Sequence, residues 1–227
     1  MEIEVAPDGP ALAEEAADWM AGEIERAIAV RGRAAIAVSG GSTPNAMFAA
    51  LARRRLPWNQ VHVFQVDERV APDGDADRNA TTMVPALVEA AGIPAENVHL
   101  MAVTDTDLEG AARRYERELR RHGDGVLDVV HLGIGVDGHT ASWPPGDAVV
   151  DVVDRDVAIV GPFNGRRRMT LTVPAVNRAR CIMLLVAGAD KAIPLRRALA
   201  EDHAMPASRV RHTDLLVFAD RAAAQPE

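Results

Sequence analysis

The chain has 227 residues, 25 basic against 33 acidic for a formal net charge of -8, 48% hydrophobic residues and a single cysteine. That length suits one sizeable core, and an acidic chain with no lysine or arginine run argues against a nucleic-acid partner. The longest apolar run, Cys181 to Ala189, is too short to span a bilayer, and Cys181 has no second cysteine for an internal disulfide.

The N-terminus carries two early glutamates and no apolar segment of the secretory kind, so a cytoplasmic protein is expected. Leu12, Ala16, Trp19, Met20, Ile24 and Ala27 share one side of a helix, with glutamates opposite. Ala34 to Ser39 reads as a short buried strand, Pro44 to Arg55 as a helix and Val61 to Val66 as a strand. Asp77 to Ala91 predicts a helix interrupted or kinked near Pro85. Leu108, Ala111, Ala112, Tyr115 and Leu119 then trace a further helical stripe.

Strands follow at Leu127–Leu132, Arg155–Val160, Met169–Val173 and Cys181–Gly188, then a helix over Ala189–Ala200 and a last strand at Asp214–Ala219. The tail after Arg221 reads as loose. Cys181, inside its apolar run, is expected to be a buried, inert thiol. Strands alternating with helices predict a three-layer α/β/α fold with a mostly parallel sheet, and we expect residues 1–227 to form one catalytic domain. Ligands of such sheets bind at the carboxyl ends of the strands, which directs attention to three loops.

The first is Ser39 to Pro44, "SGGSTP". Gly40 and Gly41 allow a sharp turn, Ser42 or Thr43 can cap the next helix and Pro44 suits its first turn. Such a turn offers backbone N–H groups and the positive helix end to an anion, and the lack of a P-loop lysine favours a terminal phosphate over a nucleoside triphosphate. The second is Val66 to Val70, "VDERV". Three consecutive charges are expected to form a solvated edge; the alternative is an inward Asp67 that accepts from hydroxyls and an inward Arg69 that stabilises negative charge.

The third is Leu132 to Asp147. Gly133, Gly135 and Gly138 match the G-x-G-x-x-G dinucleotide fingerprint, but Pro144 and Pro145 leave little room for the helix that a pyrophosphate requires. The alternative is a loop that presents His139 as a general base, with Asp137 two residues earlier as an orienting partner. His62, His99, His122, His203 and His212 are read as surface or core-edge residues, and His131 as a strand histidine satisfied within the core.

Taken together, "SGGSTP", "DER" and "GIGVDGHTAS" in this order resemble the 6-phosphogluconolactonase family, relatives of glucosamine-6-phosphate deaminase, over nearly the whole chain. The resemblance extends to "RMTLT", Arg168 to Thr172, and to "GADK", ending at Lys191. It implies a modified Rossmann-like fold and hydrolysis of 6-phospho-D-glucono-1,5-lactone to 6-phosphogluconate in the oxidative pentose phosphate pathway. It further implies that Gly40, Gly41, Ser42, Thr43, Arg168 and Lys191 hold the phosphate and that His139 activates water. It also implies that Arg69 stabilises the oxyanion and that Asp67 or Asp137 orients a hydroxyl or the imidazole.

Arg166 and Arg167 are expected to face solvent, and Asn79 falls where the family has an asparagine after the acidic loop. No cofactor and no metal is expected, and the partner is a small sugar-phosphate lactone bound by a monomer or small homo-oligomer. Arg69 and Pro144 stand where the deaminases have a tyrosine and a carboxylate, which disfavours amino-sugar chemistry. A non-catalytic sugar-phosphate sensor is the other alternative. Trp143 and Pro144 replace the leucine–phenylalanine pair expected after "HTAS" in the lactonases, at positions expected to wall the pocket, although simple packing is the favoured role for Trp143.

Overall fold

The computed structural model describes residues 1–225. Its strands are β1 (Glu2–Ala6), β2 (Ala34–Val38), β3 (Val61–Gln65), β4 (Asp67–Arg69), β5 (Val98–His99), β6 (Val129–Leu132), β7 (Val157–Phe163), β8 (Arg166–Leu171), β9 (Cys181–Val186) and β10 (Leu215–Asp220). Its α-helices are α1 (Gly9–Arg31), α2 (Ser42–Ala52), α3 (Asn79–Met83), α4 (Leu108–Gly123), α5 (Val173–Asn177), α6 (Ala192–Leu199) and α7 (Arg221–Ala224). No described helix is long and apolar enough to cross a membrane.

Seven strands form an all-parallel sheet in the order β1-β10-β9-β6-β2-β3-β5, and three form a second, antiparallel sheet, β4-β8-β7. Helices α1 and α2 cover one face of the large sheet, where Leu12, Met20, Ile24, Phe48 and Leu51 meet Ile36 and Val63. The other face packs Tyr115 and Leu119 of α4 together with Val157, Val160, Met169 and Leu171 of the small sheet. The layers are therefore those expected, with one difference. The segments Arg155–Val160 and Met169–Val173 do not join the parallel sheet, because the two-residue turn Asn164-Gly165, with φ of 51° and 78°, folds β7 back on β8 as a hairpin.

Three local departures have simple causes. Strand β1 escaped the apolar-run criterion because it is an edge strand, with only Ala6 buried and its backbone paired to β10. The helix around Pro85 starts as α3 and widens into a π-turn over Val84–Glu89, since proline supplies no N–H for the regular ladder. Helix α7 takes up the first residues of the tail expected to be loose after Arg221, whose residues 226–227 lie outside the described ones. The Asp220 carboxylate caps it by accepting from the Ala223 N–H at 2.7 Å, and Ala223 is buried.

Candidate active site

From β2 the chain proceeds to β3 and β5 in one direction, and from β6 to β9 and β10 in the other, with the first strand β1 beside β10 at the far edge, so the topology reverses between β2 and β6. The carboxyl ends of strands diverge around such a switch point and leave a crevice. A cleft of about 240 Å³ opens there, walled by the loops after β2 and β6, by Asp67 and Arg69 of β4, by Arg168 of β8 and by Lys191 after β9.

Gly40, Gly41, Ser42 and Thr43 all line this cleft. Helix α2 begins two residues earlier than expected, at Ser42, with Gly41 as N-cap and no side-chain capping bond. Ser42 and Thr43 are thus not the caps that the sequence suggested. The first-turn N–H groups have no side-chain partner and retain their affinity for an anion at the positive helix end. Gly40 is required by close approach: a Cβ there would lie 2.1 Å from Asn79 Oδ1. Lys191 also borders the cleft, its ammonium 3.4 Å from Asp190.

The expectation of a solvated edge at Asp67–Arg69 does not hold. Asp67 and Glu68 are buried within β4, and Asp67 accepts from Ser142 Oγ at 2.5 Å and from Asn79 Nδ2 at 3.2 Å. Arg69 donates to the Asp77 carbonyl at 3.0 Å and to Asn79 Oδ1. Arg69 and Arg168 are register partners across β4 and β8, with Asp67 Oδ2 3.9 Å from Arg168. Burial and the neighbouring Arg69 together lower the pKa of Arg168. Two adjacent guanidiniums beside one carboxylate favour an anionic ligand.

Sequence reasoning missed Glu68. Its carboxylate accepts from the N–H groups of Arg69, Asn79 and Ala80 at 2.8, 2.7 and 2.9 Å and lies 3.2 Å from Arg78. Glu68 thereby pins the segment that places Arg69 and Asn79. Arg166 is half-buried, paired with Asp75 and Asp77, and is not the solvent-facing residue expected; Arg167 is exposed.

The His139 loop closes on itself through Gly135 N–H to the His139 carbonyl at 2.7 Å. A Cβ on Gly135 would lie 2.1 Å from His139 Nδ1, so that glycine makes room for the imidazole. No helix begins at Gly138, where a dinucleotide loop would need one; Thr140 and Trp143 form a β-bridge instead. His139 Nδ1 lies 2.5 Å from Asp137 Oδ1. Burial tends to raise the Asp137 pKa, but hydrogen bonds from His139 outweigh it and hold the carboxyl below its ordinary value. An ionised carboxylate only accepts, so Nδ1 carries a proton, and in the neutral ring the lone pair is on Nε2. The choice left open between Asp67 and Asp137 as contact of the imidazole thus falls to Asp137.

Phe163 of β7, also missed, meets the His139 ring edge-on at 5.0 Å and lies under the Arg168 guanidinium at 4.9 Å. Trp143 and Pro144 do not wall the cleft: both are buried, and the Trp143 indole donates to the Leu171 carbonyl at 2.8 Å. His131 is fully buried, its pKa pushed down to about 3 by burial, and its Nδ1 accepts from Ser39 N–H at 3.3 Å. Its Nε2 has no partner and it reaches the cleft, so it is only half satisfied within the core. Cys181 is half-buried, not fully buried; burial and Glu23, 3.7 Å away, push its thiol up to about 11.

Fold and site thus define an α/β protein whose switch-point cleft suits an anionic ligand and carries a histidine–carboxylate pair. The chain belongs to the family described as "Glucosamine-6-phosphate isomerases/6-phosphogluconolactonase", whose sequence profile matches residues 7–218. It is 36% identical to a 6-phosphogluconolactonase of Nostoc sp., over 97% of this chain and 96% of that one. It is 39% identical to the Synechocystis sp. protein of the same name, over 84% of this chain and 81% of that one. The crystal structure of 6-phosphogluconolactonase from Thermotoga maritima superposes with a TM-score of 0.87 at 29% identity, covering 96% of this chain and 98% of that one. A monomeric glucosamine-6-phosphate deaminase shares the fold, with a TM-score of 0.87 at 22% identity.

Proposed function

We propose that the chain is a 6-phosphogluconolactonase, a carboxylic ester hydrolase that converts 6-phospho-D-glucono-1,5-lactone to 6-phosphogluconate in the oxidative pentose phosphate pathway. The observation that carries this reading is the His139–Asp137 pair, 2.5 Å apart, with His139 in a cleft that also collects Arg69, Arg168, Lys191 and an uncapped helix start. Gly40, Gly41, Ser42, Thr43, Arg168 and Lys191 hold the phosphate and so position the ring. His139 Nε2 takes a proton from water as that water attacks the lactone carbonyl, and returns it to the departing ring oxygen. Asp137 holds the Nδ1 proton in place, Arg69 stabilises the oxyanion, and Asp67 keeps Arg168 and Asn79 in position.

The reaction proceeds within one catalytic domain, in the cytoplasm, on a small-molecule substrate. The test is hydrolysis of freshly generated lactone with the spontaneous rate subtracted. Wild type accelerates it, and His139→Ala loses about 10²–10⁴-fold, the usual contribution of a general base, while still binding 6-phosphogluconate. Rates that match the spontaneous reaction for both proteins would overturn the proposal.

A further inference from the structure

Three histidines that the cleft does not use come together between α4 and the β3–β5 edge of the large sheet. His62 lies near the amino end of β3, His99 ends β5 and His122 lies in the last turn of α4, and none borders the cleft. One nitrogen from each ring lies within 4.8 Å of the others. His62 Nδ1 and His99 Nε2 are 3.1 Å apart, near the edge of about 3.3 Å that follows for a tetrahedron of nitrogens bound to zinc at about 2.0–2.1 Å.

The surroundings suit a cation. Glu118 Oε2 lies 3.3 Å from His122 Nε2 and 3.9 Å from His99 Nδ1, which leaves the opposite nitrogen of each ring for a ligand. Such a carboxylate behind an imidazole fixes ring orientation and raises ligand basicity. The carboxyl-terminal, negative end of α4 points in the same sense. Arg33, the nearby cation, is held by Asp124 at 2.8 Å and by the His122 carbonyl at 2.9 Å.

We propose that His62, His99 and His122 bind one borderline transition-metal ion of the zinc class, which ties α4 to the β3–β5 edge of the sheet. The donor set is all imidazole nitrogen, which suits Zn²⁺, Co²⁺ or Ni²⁺ and not the oxygen-seeking Mg²⁺. Elements far apart in sequence supply the ligands, so the ion binds the folded chain and stabilises it by linkage.

The test is calorimetric titration of the chelator-treated full chain with Zn²⁺ and Co²⁺. One saturable equivalent is expected, with visible absorption bands from bound Co²⁺ and no response to Mg²⁺. At hundredfold excess over Kd the melting temperature should rise by about 5–10 °C. His62→Gln and His122→Gln, each checked for native circular dichroism, should weaken binding at least tenfold, whereas His139→Ala should bind as wild type does. Absence of saturable binding, its survival in the His62→Gln/His122→Gln double variant, or its loss in His139→Ala would overturn the assignment.

Discussion

At the scale of single residues, the site works through pairs in which one side chain determines what another can do. Asp137 determines which nitrogen of His139 carries the proton, so Asp137→Asn should lower kcat by up to the general-base contribution, about 10²–10⁴-fold, with little change in KM. Steady-state kinetics on fresh lactone checks this; a change confined to KM would speak against it. Burial acts on His131 in a way that stability measurements can read. Its folded pKa of about 3 lies below the ordinary histidine value of 6.5, so between those limits the unfolded chain binds the extra proton. Stability is complete above pH 6.5 and declines as pH falls toward 3, with a slope of up to about 1.4 kcal/mol per pH unit from this group. His131→Leu should remove that share of the slope in urea titrations between pH 6.5 and 4.5, and an unchanged slope would contradict it. His139 was legible in the sequence because it sits in a glycine loop after a strand. Glu68 was not, because a buried carboxylate that accepts three backbone N–H groups looks, in a string of letters, like any surface charge.

At the scale of elements, the β7–β8 hairpin is what the sequence reading missed and the site needs. Arg155–Val160 and Met169–Val173 were recognisable as strands by their apolar content, but their direction depended on Asn164-Gly165, a two-residue hairpin turn readable as such. The hairpin brings Arg168 beside Arg69 and sets Phe163 against both His139 and Arg168. Edge-to-face and cation–π contacts are each worth about 0.5–1.5 kcal/mol. Phe163→Ala should therefore lower kcat/KM by about tenfold, one decade for each 1.4 kcal/mol. Because Phe163 is partly exposed, its loss should lower the denaturation midpoint by no more than those contacts supply, a small shift. Kinetics and urea titration on the same preparation separate the two, and a large drop in midpoint with unchanged kcat/KM would assign Phe163 to packing alone.

At the scale of the whole molecule, the two sheets share one cluster of apolar side chains, in which Met169 and Leu171 of β8 lie with Phe64, Val130 and Leu132 of the large sheet. Val66 links them through the backbone: its N–H donates to the Val38 carbonyl at 3.0 Å, and its carbonyl accepts from the Leu171 N–H at 2.7 Å. The alternating pattern that exposed the parallel sheet could not reveal this junction, because it rests on contacts between segments about a hundred residues apart. A small sheet that packs on its own core could open independently, whereas one that completes a shared core opens only when that core is lost. Amides of β8 should therefore exchange at the same free energy as those of β2 and β9, and urea should produce one transition by circular dichroism and by fluorescence. Earlier exchange of β8 would instead make the Arg168 side of the cleft a separately unfolding unit, and phosphate binding would then have to include the cost of ordering it.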